Sequence, residues 1–402
     1  CRTALAFVYN RLWRFEEARR ELDRAKDAME GIHDLYAEMH YNVLRYQAEV
    51  DRGAPAEAVP FLDRWIELAH LHRDEFAIGC SHFSRARIEF QDGNWSSARR
   101  FLDSGLEAVP GNVFLLSCRC HLEYMAGNLE AGDEYRGRLL AVQRRTPTGP
   151  YTAHMHAVST AVARALQTGD AGDLRGVTRT LEDMAAAPEA HPFILFRVRI
   201  LAAWVAALLA DETAARRAYR ELLRLPRVYV VHPYHLERAM GLAAHAFGDH
   251  KSSAAHLRVA LRWARHYGDK PVEAWILLEL GGVLISAEAA NTEYSEARRV
   301  VIESREAARR LGMPPLEARA RKKLEELTRL MTDGKPGHAH LTPRERQMLK
   351  LVEAGLTNKA IAGRLGISVY TVVNHLRHIM EKTGTVNRTE AVIVARRLDQ
   401  ME

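Results

Sequence analysis

The chain has 402 residues, of which 47% are hydrophobic and 27% are charged, and its formal net charge is +6. This composition is typical of a soluble globular protein and excludes a largely disordered chain, and the length allows two or three domains. The charge is unevenly distributed, because residues 341–402 carry a net charge of +4 and the residues before them only +2. A small basic unit after a nearly neutral body is typical of a nucleic-acid-binding module joined to a domain with another task.

The sequence indicates neither a membrane protein nor a secreted one. Its longest apolar run, residues 200–210, is about half of the ~20 residues that a membrane-spanning helix requires. The four cysteines are too few for a disulfide scaffold, and no signal peptide opens the chain. We therefore expect a cytoplasmic protein with no membrane partner. Because the chain starts at Cys1 inside a helical pattern, we also expect it to be part of a longer protein.

Short breaks recur through residues 1–331 at intervals of roughly 34 to 42 residues. Between them, apolar residues recur three and four positions apart, as at Leu102, Leu106 and Val109, which is the helical period. A weaker set of breaks divides each interval into two. The stronger breaks are Gly53-Ala54-Pro55, Gly93-Asn94-Trp95, Gly127-Asn128-Leu129, Gly169-Asp170, Ala210-Asp211, Gly248-Asp249 and Ala290-Asn291-Thr292.

A small residue followed four positions later by leucine returns after several breaks. The pairs are Ala18 with Leu22, Ala58 with Leu62, and Ala98 with Leu102. Residues four apart share one helix face, so each alanine would let a partner helix approach closely. Helix pairs at this period are typical of an α-solenoid, and the pattern resembles tetratricopeptide repeats, although these repeats are longer and lack the full consensus. We predict an all-α fold with this solenoid as domain 1–331; a bundle of unrelated helices is the alternative.

In a solenoid each pair contacts only its neighbours, and stacking creates a long groove that can hold a small-molecule or protein effector. At helical spacing, aromatic and histidine residues serve more often as core packing than as a binding site. The candidates for lining the groove are Tyr41, Tyr46, Trp65, His82, Phe83, His121, Tyr124, His154, His156, Trp204, His232, Tyr234, His235 and Trp275.

The sequence contains no Gly-x-x-x-x-Gly-Lys-Ser/Thr, Gly-x-Gly-x-x-Gly, Gly-x-Ser-x-Gly or His-Glu-x-x-His motif. Its one Gly-Lys pair, Gly334-Lys335, is followed by proline and cannot form a phosphate loop. Cys118 and Cys120 are two positions apart on a predicted helix, which suits two buried side chains better than a shared metal. The group His232, His235 and Glu237 is better interpreted as a helix start, and His338 and His340 lie in a polar segment. We expect no enzymatic activity.

Residues 332–340 have no apolar periodicity and are predicted to form a linker before a C-terminal domain, 341–402. Thr342 and Glu345 have the spacing of a capping box that begins a first helix, which should end before Gly355. A second helix is predicted over 358–365 and a third from Ser368 to about residue 383. A fourth, opened by Asn387 and Glu390, should reach about residue 398.

The second and third helices are joined by a turn so short that they form a helix-turn-helix. Its core should contain Ile361, Leu365, Ile367, Val372, Leu376 and Ile379. The third helix would then present Tyr370, Thr371, Val373, Asn374, Arg377, His378 and Glu381 on or near its outer face. In this motif that helix enters the major groove, where Asn374 can pair with adenine and Arg377 with guanine or phosphate.

Five segments make this unit similar to the LuxR/FixJ-type DNA-binding domain. They are Leu-Thr-Pro-Arg-Glu at 341–345, Gly-Leu-Thr-Asn-Lys-Ala-Ile-Ala at 355–362, Leu-Gly-Ile-Ser at 365–368, Thr-Val-Val-Asn-His at 371–375 and Asn-Arg-Thr-Glu-Ala at 387–391. The resemblance implies a four-helix domain that contacts DNA through helix three and can pair through helix four. The candidate DNA-binding residues are Thr357, Asn358, Lys359, Ser368, Tyr370, Thr371, Val373, Asn374, His375, Arg377, His378, Lys382 and Arg388.

Two positions depart from the family pattern. Val373 stands where such domains usually have lysine or arginine, which removes a polar contact; an apolar contact with a thymine methyl group could replace it. Thr383 stands before Gly384, where leucine is usual.

A helical-repeat body followed by this domain is also similar to the C-terminal part of MalT-like regulators, the LuxR-type ATP-binding class. In that family an ATPase module precedes the repeats, so any role for ATP would belong to sequence upstream of Cys1, and we expect no cofactor in this chain.

Our interpretation is a bacterial transcription regulator whose body senses an effector and whose last ~60 residues bind promoter DNA. The expected partners are double-stranded DNA, a second copy of the chain on that DNA, an effector in the groove, and RNA polymerase. Two alternatives stay open: a repeat scaffold that binds only protein, and a regulatory fragment of a larger signalling ATPase.

Overall fold

The computed structural model describes residues 2–399 except for residues 13, 32, 52–53, 146–149, 187–191, 227–234, 288–290, 334–340 and 384. This part of the chain is built from 21 α-helices and contains no β-strand, which confirms the all-α prediction. The helices are α1 (Arg2–Arg11), α2 (Phe15–Met29), α3 (Leu35–Asp51), α4 (Pro55–His72), α5 (Glu75–Asp92), α6 (Trp95–Ala108), α7 (Val113–Ala126), α8 (Leu129–Arg145), α9 (Pro150–Thr168), α10 (Leu174–Ala186), α11 (Pro192–Leu208), α12 (Glu212–Leu222), α13 (Leu236–Ala246), α14 (His250–His266), α15 (Lys270–Ser286), α16 (Asn291–Leu311), α17 (Pro314–Asp333), α18 (Pro343–Glu353), α19 (Asn358–Leu365), α20 (Val369–Thr383) and α21 (Arg388–Asp399).

Contacts divide the chain into two compact units, residues 1–276 with 307–316 and residues 277–306 with 317–402. Helix α17 continues to Asp333, so it includes the first two residues of the predicted linker, and residues 334–340 lie outside the described part. None of the helices in the described ranges is both long and apolar enough to cross a membrane.

At three of the predicted breaks, one helix ends and the next begins with the same backbone turn and helix cap. At Arg73-Asp74, Ala210-Asp211 and Gly248-Asp249, the first residue has a positive φ and the aspartate that follows caps the next helix. Each of these aspartates accepts a backbone N–H three residues on, at 2.9–3.0 Å. Glycine adopts a positive φ without strain, whereas the side chains of Arg73 and Ala210 make the same turn less favourable.

The small-and-large pairs form the seam between neighbouring helices in the first unit. Their six side chains are all buried, with at most 1% of their surface exposed: Ala18, Leu22, Ala58, Leu62, Ala98 and Leu102. Helices in first positions pack on one another, as α1 does on α3, α5 on α7, and α9 on α11. The predicted solenoid of helix pairs is therefore confirmed in this unit.

A second repeated feature, which the sequence analysis did not predict, is ionic. Three helices carry an Arg–Glu pair four residues apart, and each arginine also contacts an aspartate of the preceding helix. These links between helices are Arg45 to Asp23 at 2.6 Å, Arg85 to Asp63 at 3.3 Å and Arg119 to Asp103 at 3.0 Å. These links join each pair to its neighbour, as the predicted solenoid requires.

Two contacts within the first unit join helices that are far apart in the chain. The Lys270 ammonium lies 2.8 Å from the Asp92 carboxylate, 178 positions away. The Trp95 indole donates a hydrogen bond to the backbone carbonyl of Leu311, 216 positions away. Nearest-neighbour stacking accounts for most but not all of the packing, because polar groups at the helix ends also find distant partners.

Two glycines of α8 provide a matched test of this packing. A Cβ at Gly132 would lie 2.4 Å from atoms of the buried Tyr124 ring, whereas a Cβ at Gly137 would meet nothing within 4 Å. We expect Gly132→Ala to lower the free energy of unfolding by about 1–3 kcal/mol through overpacking. Gly137→Ala should raise it by about 0.4–1 kcal/mol, because alanine loses less backbone entropy on folding. Urea unfolding followed by circular dichroism would compare the two, and equal effects would contradict the described α7–α8 packing.

Candidate nucleic-acid interface

Side-chain caps set the ends of the four C-terminal helices where the sequence predicts them. Thr342 and Glu345 form the complete capping box of α18, with N–H donors 2.8 Å and 3.2 Å from their acceptor oxygens. Thr357 caps α19, and the Ser368 hydroxyl accepts the Thr371 N–H at 3.0 Å at the start of α20. Between these two helices, Gly366 has a φ of 66°, a turn that suits glycine.

The predicted small core lies beneath this turn. Ile361, Val372, Leu376 and Ile379 are buried, and Leu365 and Ile367 pack against them, as the helical period predicts. A core on one side of α20 leaves the other side facing away from the domain. This packing holds α19 and α20 as one rigid helix-turn-helix.

The outer face of α20 is open. Tyr370 is 75% exposed and Val373 is 47% exposed. Arg377 and His378 continue this exposed face, while Thr371, Asn374 and His375 are half-buried along its edge. The first turn of α20 carries no acidic residue, so nothing there opposes the partial positive charge of the helix N-terminus. This arrangement suits contact with an anion or a polyanion.

The known proteins that resemble this chain match it in the same region. The family described as "Bacterial regulatory proteins, luxR family" matches residues 339–395. Residues 339–395 are a LuxR-family domain.

Three relatives show the extent of the similarity. The monoamine regulon transcriptional regulator of Klebsiella aerogenes is 52% identical over 54 residues, which are 13% of this chain and 24% of that protein. The nitrate/nitrite response regulator protein NarL of Escherichia coli (strain K12) is 49% identical over 53 residues, again 13% of this chain and 24% of that protein. The HTH-type transcriptional regulator MalT of Yersinia enterocolitica is 43% identical over 61 residues, 15% of this chain and 7% of that protein. The matches therefore span at most about a quarter of these three relatives.

Other predicted residues of the LuxR-family domain lie at the start of α19. Thr357 and Lys359 are exposed there, and Asn358 is half-buried. The Arg388 guanidinium reaches this end from α21, where it donates to the Leu356 carbonyl and to the Asn358 side-chain oxygen, both at 3.4 Å. Arg388 therefore braces the beginning of α19, a role that the sequence analysis did not predict for it.

Lys382 is also engaged inside the LuxR-family domain. Its ammonium lies 2.8 Å from both carboxylate oxygens of Glu345, which is buried. Burial by itself would raise the pKa of the Glu345 carboxyl, but hydrogen bonds from Lys382 and Thr342 outweigh it and hold the pKa below its ordinary value of 4.5. The pair ties the end of α20 to the start of α18.

Two more polar contacts lie inside the LuxR-family domain. Arg344 of α18 donates to the Leu365 carbonyl at 2.7 Å, at the end of α19. Thr383, one of the two departures from the family pattern, is buried, and its hydroxyl lies 2.7 Å from the Ile379 carbonyl oxygen. The threonine is thus accommodated with its hydroxyl satisfied. On the outer face itself, Arg377 lies 3.7 Å from Glu381.

The cysteines and histidines considered in the sequence as possible metal ligands have different environments. Within the described residues, no group of three or more histidine, cysteine or acidic side chains is placed to hold a metal ion. Cys118 and Cys120 are buried, and burial raises the pKa of the Cys118 thiol to about 12. His235 precedes the first turn of α13, while His232, His338 and His340 lie outside the described residues.

Acid should destabilise the LuxR-family domain through Glu345. Because the pKa of this carboxyl is lowered in the folded state, its stabilising effect is complete above pH 4.5 and is lost as the pH falls through the lowered pKa. We expect Glu345→Gln, which keeps the helix cap, to lower the free energy of unfolding by about 1 kcal/mol at pH 7. It should also flatten the loss of stability below pH 4.5.

Thermal unfolding of a fragment comprising residues 334–402, followed by circular dichroism from pH 3 to pH 7, would measure both effects. Glu381→Gln removes an exposed carboxylate from the same domain and serves as the control. An acid dependence of Glu345→Gln that overlays that of the unchanged fragment would disprove the role of the Glu345–Lys382 pair.

Proposed function

We propose that the chain is a DNA-binding transcription regulator and that regulation, rather than catalysis, is its task. In this proposal the LuxR-family domain binds promoter DNA by placing α20 in the major groove, and the repeat body receives an effector. The observation that carries it is the exposed outer face of α20, held on a rigid core with an open N-terminus. The three relatives described above are transcriptional or response regulators, which supports the same assignment.

In this proposal, residues in the middle of α20 contact the bases. Asn374 can pair with adenine, and Arg377 can bind the O6 and N7 atoms of guanine. The exposed Val373 offers an apolar surface that fits the methyl group of thymine. His375 and His378 border this row and can donate to bases or phosphates, and Tyr370 stands at its exposed end.

Phosphate contacts fall to the two helix starts. In this proposal, backbone phosphates are bound by the N–H groups of the first turn of α20, next to Ser368 and Thr371, and by the ammonium of Lys359 on α19. Thr357 and Asn358 lie beside Lys359 at the same end. Lys382 and Arg388 contribute through the internal contacts described above, which aim these groups.

The second unit contains a contact through which the body can influence the domain. The Arg298 guanidinium of α16 donates to the Glu390 carboxylate of α21 at 3.0 Å. A single domain buries a modest interface on DNA, so useful affinity requires two copies on two half-sites. We propose that the effector changes this docking and with it the pairing of the domains.

Arg377→Ala tests the base contact. Removing a side chain that binds guanine in two places should weaken binding to the best operator by about 1–3 kcal/mol and relax the base preference at one position. Lys350→Ala removes one exposed positive charge from α18, a helix to which no DNA contact is assigned, and is the matched control.

The measurement is in vitro site selection followed by fluorescence anisotropy with the intact chain. Equal affinities for Arg377→Ala and the unchanged chain on the selected site would overturn the assigned role of Arg377. Failure to select any sequence would overturn the proposed function as a whole.

Lys359→Ala tests the phosphate contact. Each phosphate neutralised by a lysine releases bound counterions, so affinity should fall steeply as salt rises. Loss of one such contact should weaken binding similarly on all sequences and reduce the slope of log K against log salt by about 0.9. Anisotropy titrations across 50–300 mM salt would give both slopes, and an unchanged slope would remove Lys359 from the interface.

A further inference from the structure

Helices of the first unit surround a cavity of about 910 Å³. Its walls come mainly from α1, α3 and α5, the first helices of successive pairs, with one side chain from α7. A volume of this size suits a small organic molecule. The cavity lies on the first helices of the pairs, near the N-terminal end of the body.

Aromatic rings dominate the wall of this cavity. Six of them are Phe7, Tyr36, Trp65, Phe76, Phe83 and Phe114. Phe76 is 70% exposed, Tyr36 55% and Phe7 44%. Apolar rings gathered around a cavity and left in contact with water are typical of a ligand site.

One arginine in the wall lacks the partners that other arginines of the body have. Arg87 of α5 is half-buried, and its Nη2 atom is fully buried with no hydrogen-bond partner. No ion pair joins Arg87 to a carboxylate among the described residues, whereas Arg45 and Arg85 each contact two carboxylates. The contact recorded for the Arg87 guanidinium is with the face of the Phe83 ring, at 5.4 Å.

The acidic side chain in the lining does not compensate this charge. Asp74 caps the opposite end of α5, where its carboxylate accepts the Ala77 N–H. It is 13 positions from Arg87, which corresponds to about 20 Å along the helix axis. Among the described residues the positive charge of Arg87 is therefore left without a carboxylate, the partner that a guanidinium binds most strongly.

We propose that this cavity binds a small aromatic carboxylate, with the carboxylate on Arg87 and the ring system among the aromatic side chains. Guanidinium and carboxylate groups match in charge and geometry, and the stacked rings provide apolar contact for the rest of the ligand. The role of this ligand as the effector rests on the proposed function. The binding of the ligand to the cavity does not.

Isothermal titration calorimetry of the intact chain tests the proposal with benzoate, indole-3-acetate and 2-naphthoate, and with 2-naphthamide as the neutral counterpart of the last. We expect at least one carboxylate to bind one molecule per chain, and 2-naphthoate to bind at least tenfold more tightly than 2-naphthamide. Arg87→Met should abolish this difference by weakening the carboxylate alone, and Arg87→Lys should restore part of it.

Two further variants separate charge from shape. Arg100→Met removes an exposed arginine of α6 that does not line the cavity and should leave all affinities unchanged. Phe76→Ala removes an exposed wall ring at little risk to the core and should weaken the carboxylate and the amide equally. Absence of saturable binding by all three carboxylates, or equal binding of 2-naphthoate by Arg87→Met and the unchanged chain, would overturn the proposal.

Operator-binding assays on the same preparations distinguish a failure of the proposed anion site from a failure of the proposed function. Anion binding without operator binding would remove the regulatory role and leave the site standing. Operator binding without anion binding would leave the proposed function standing and remove the site.

Discussion

Each helix pair of the body has an apolar face that it can bury only against the next pair. The seam that meets this constraint is an alanine and a leucine one turn apart, and in three consecutive repeats both are removed from water. The short side chain allows the neighbouring helix to come close, while the long one fills the space beside it. The cavity lies on first helices of the pairs, whereas the ionic links join the second helix of one pair to the first helix of the next.

The C-terminal domain meets a different requirement, since it must hold one helix at a fixed angle with little protein beneath it. Its apolar core is small, so polar contacts at the helix ends also hold the helices in place. Glu345 is the centre of these contacts, because the same carboxylate caps α18 and holds Lys382 of α20. Arg344 and Arg388 fix the two ends of α19 in the same way. Some positively charged side chains of this domain therefore face outward, whereas others form internal contacts that hold the outward-facing ones in position.

Local signals in the sequence predict most of the helices and their ends. Thr342, Thr357 and Ser368 are caps in the structure as well as in the pattern, and the apolar period identifies Val372 and Ile379 as core. Which charges meet across helices could not be predicted, because a lysine that faces phosphate and one that faces a buried glutamate look alike in a single sequence. Lys382 and Arg388 illustrate this, and so does Arg87, whose significance lies in the partners that it lacks. The distant contacts of Trp95 and Lys270 depend on how many pairs are stacked, which no local pattern records.

The seam alanines at positions 18, 58 and 98 are 40 residues apart, and the arginine of the ionic link recurs 40 positions after Arg45 at Arg85 and 34 positions after that at Arg119. The groups that join one repeat to the next therefore lie within a segment of one repeat length. Each such segment carries the arginine that contacts the preceding repeat and the aspartate that contacts the following one. A duplication or deletion of one such segment leaves complementary surfaces on either side of the junction. Such a change lengthens or shortens the wall of the cavity while the C-terminal LuxR-family domain is inherited unchanged.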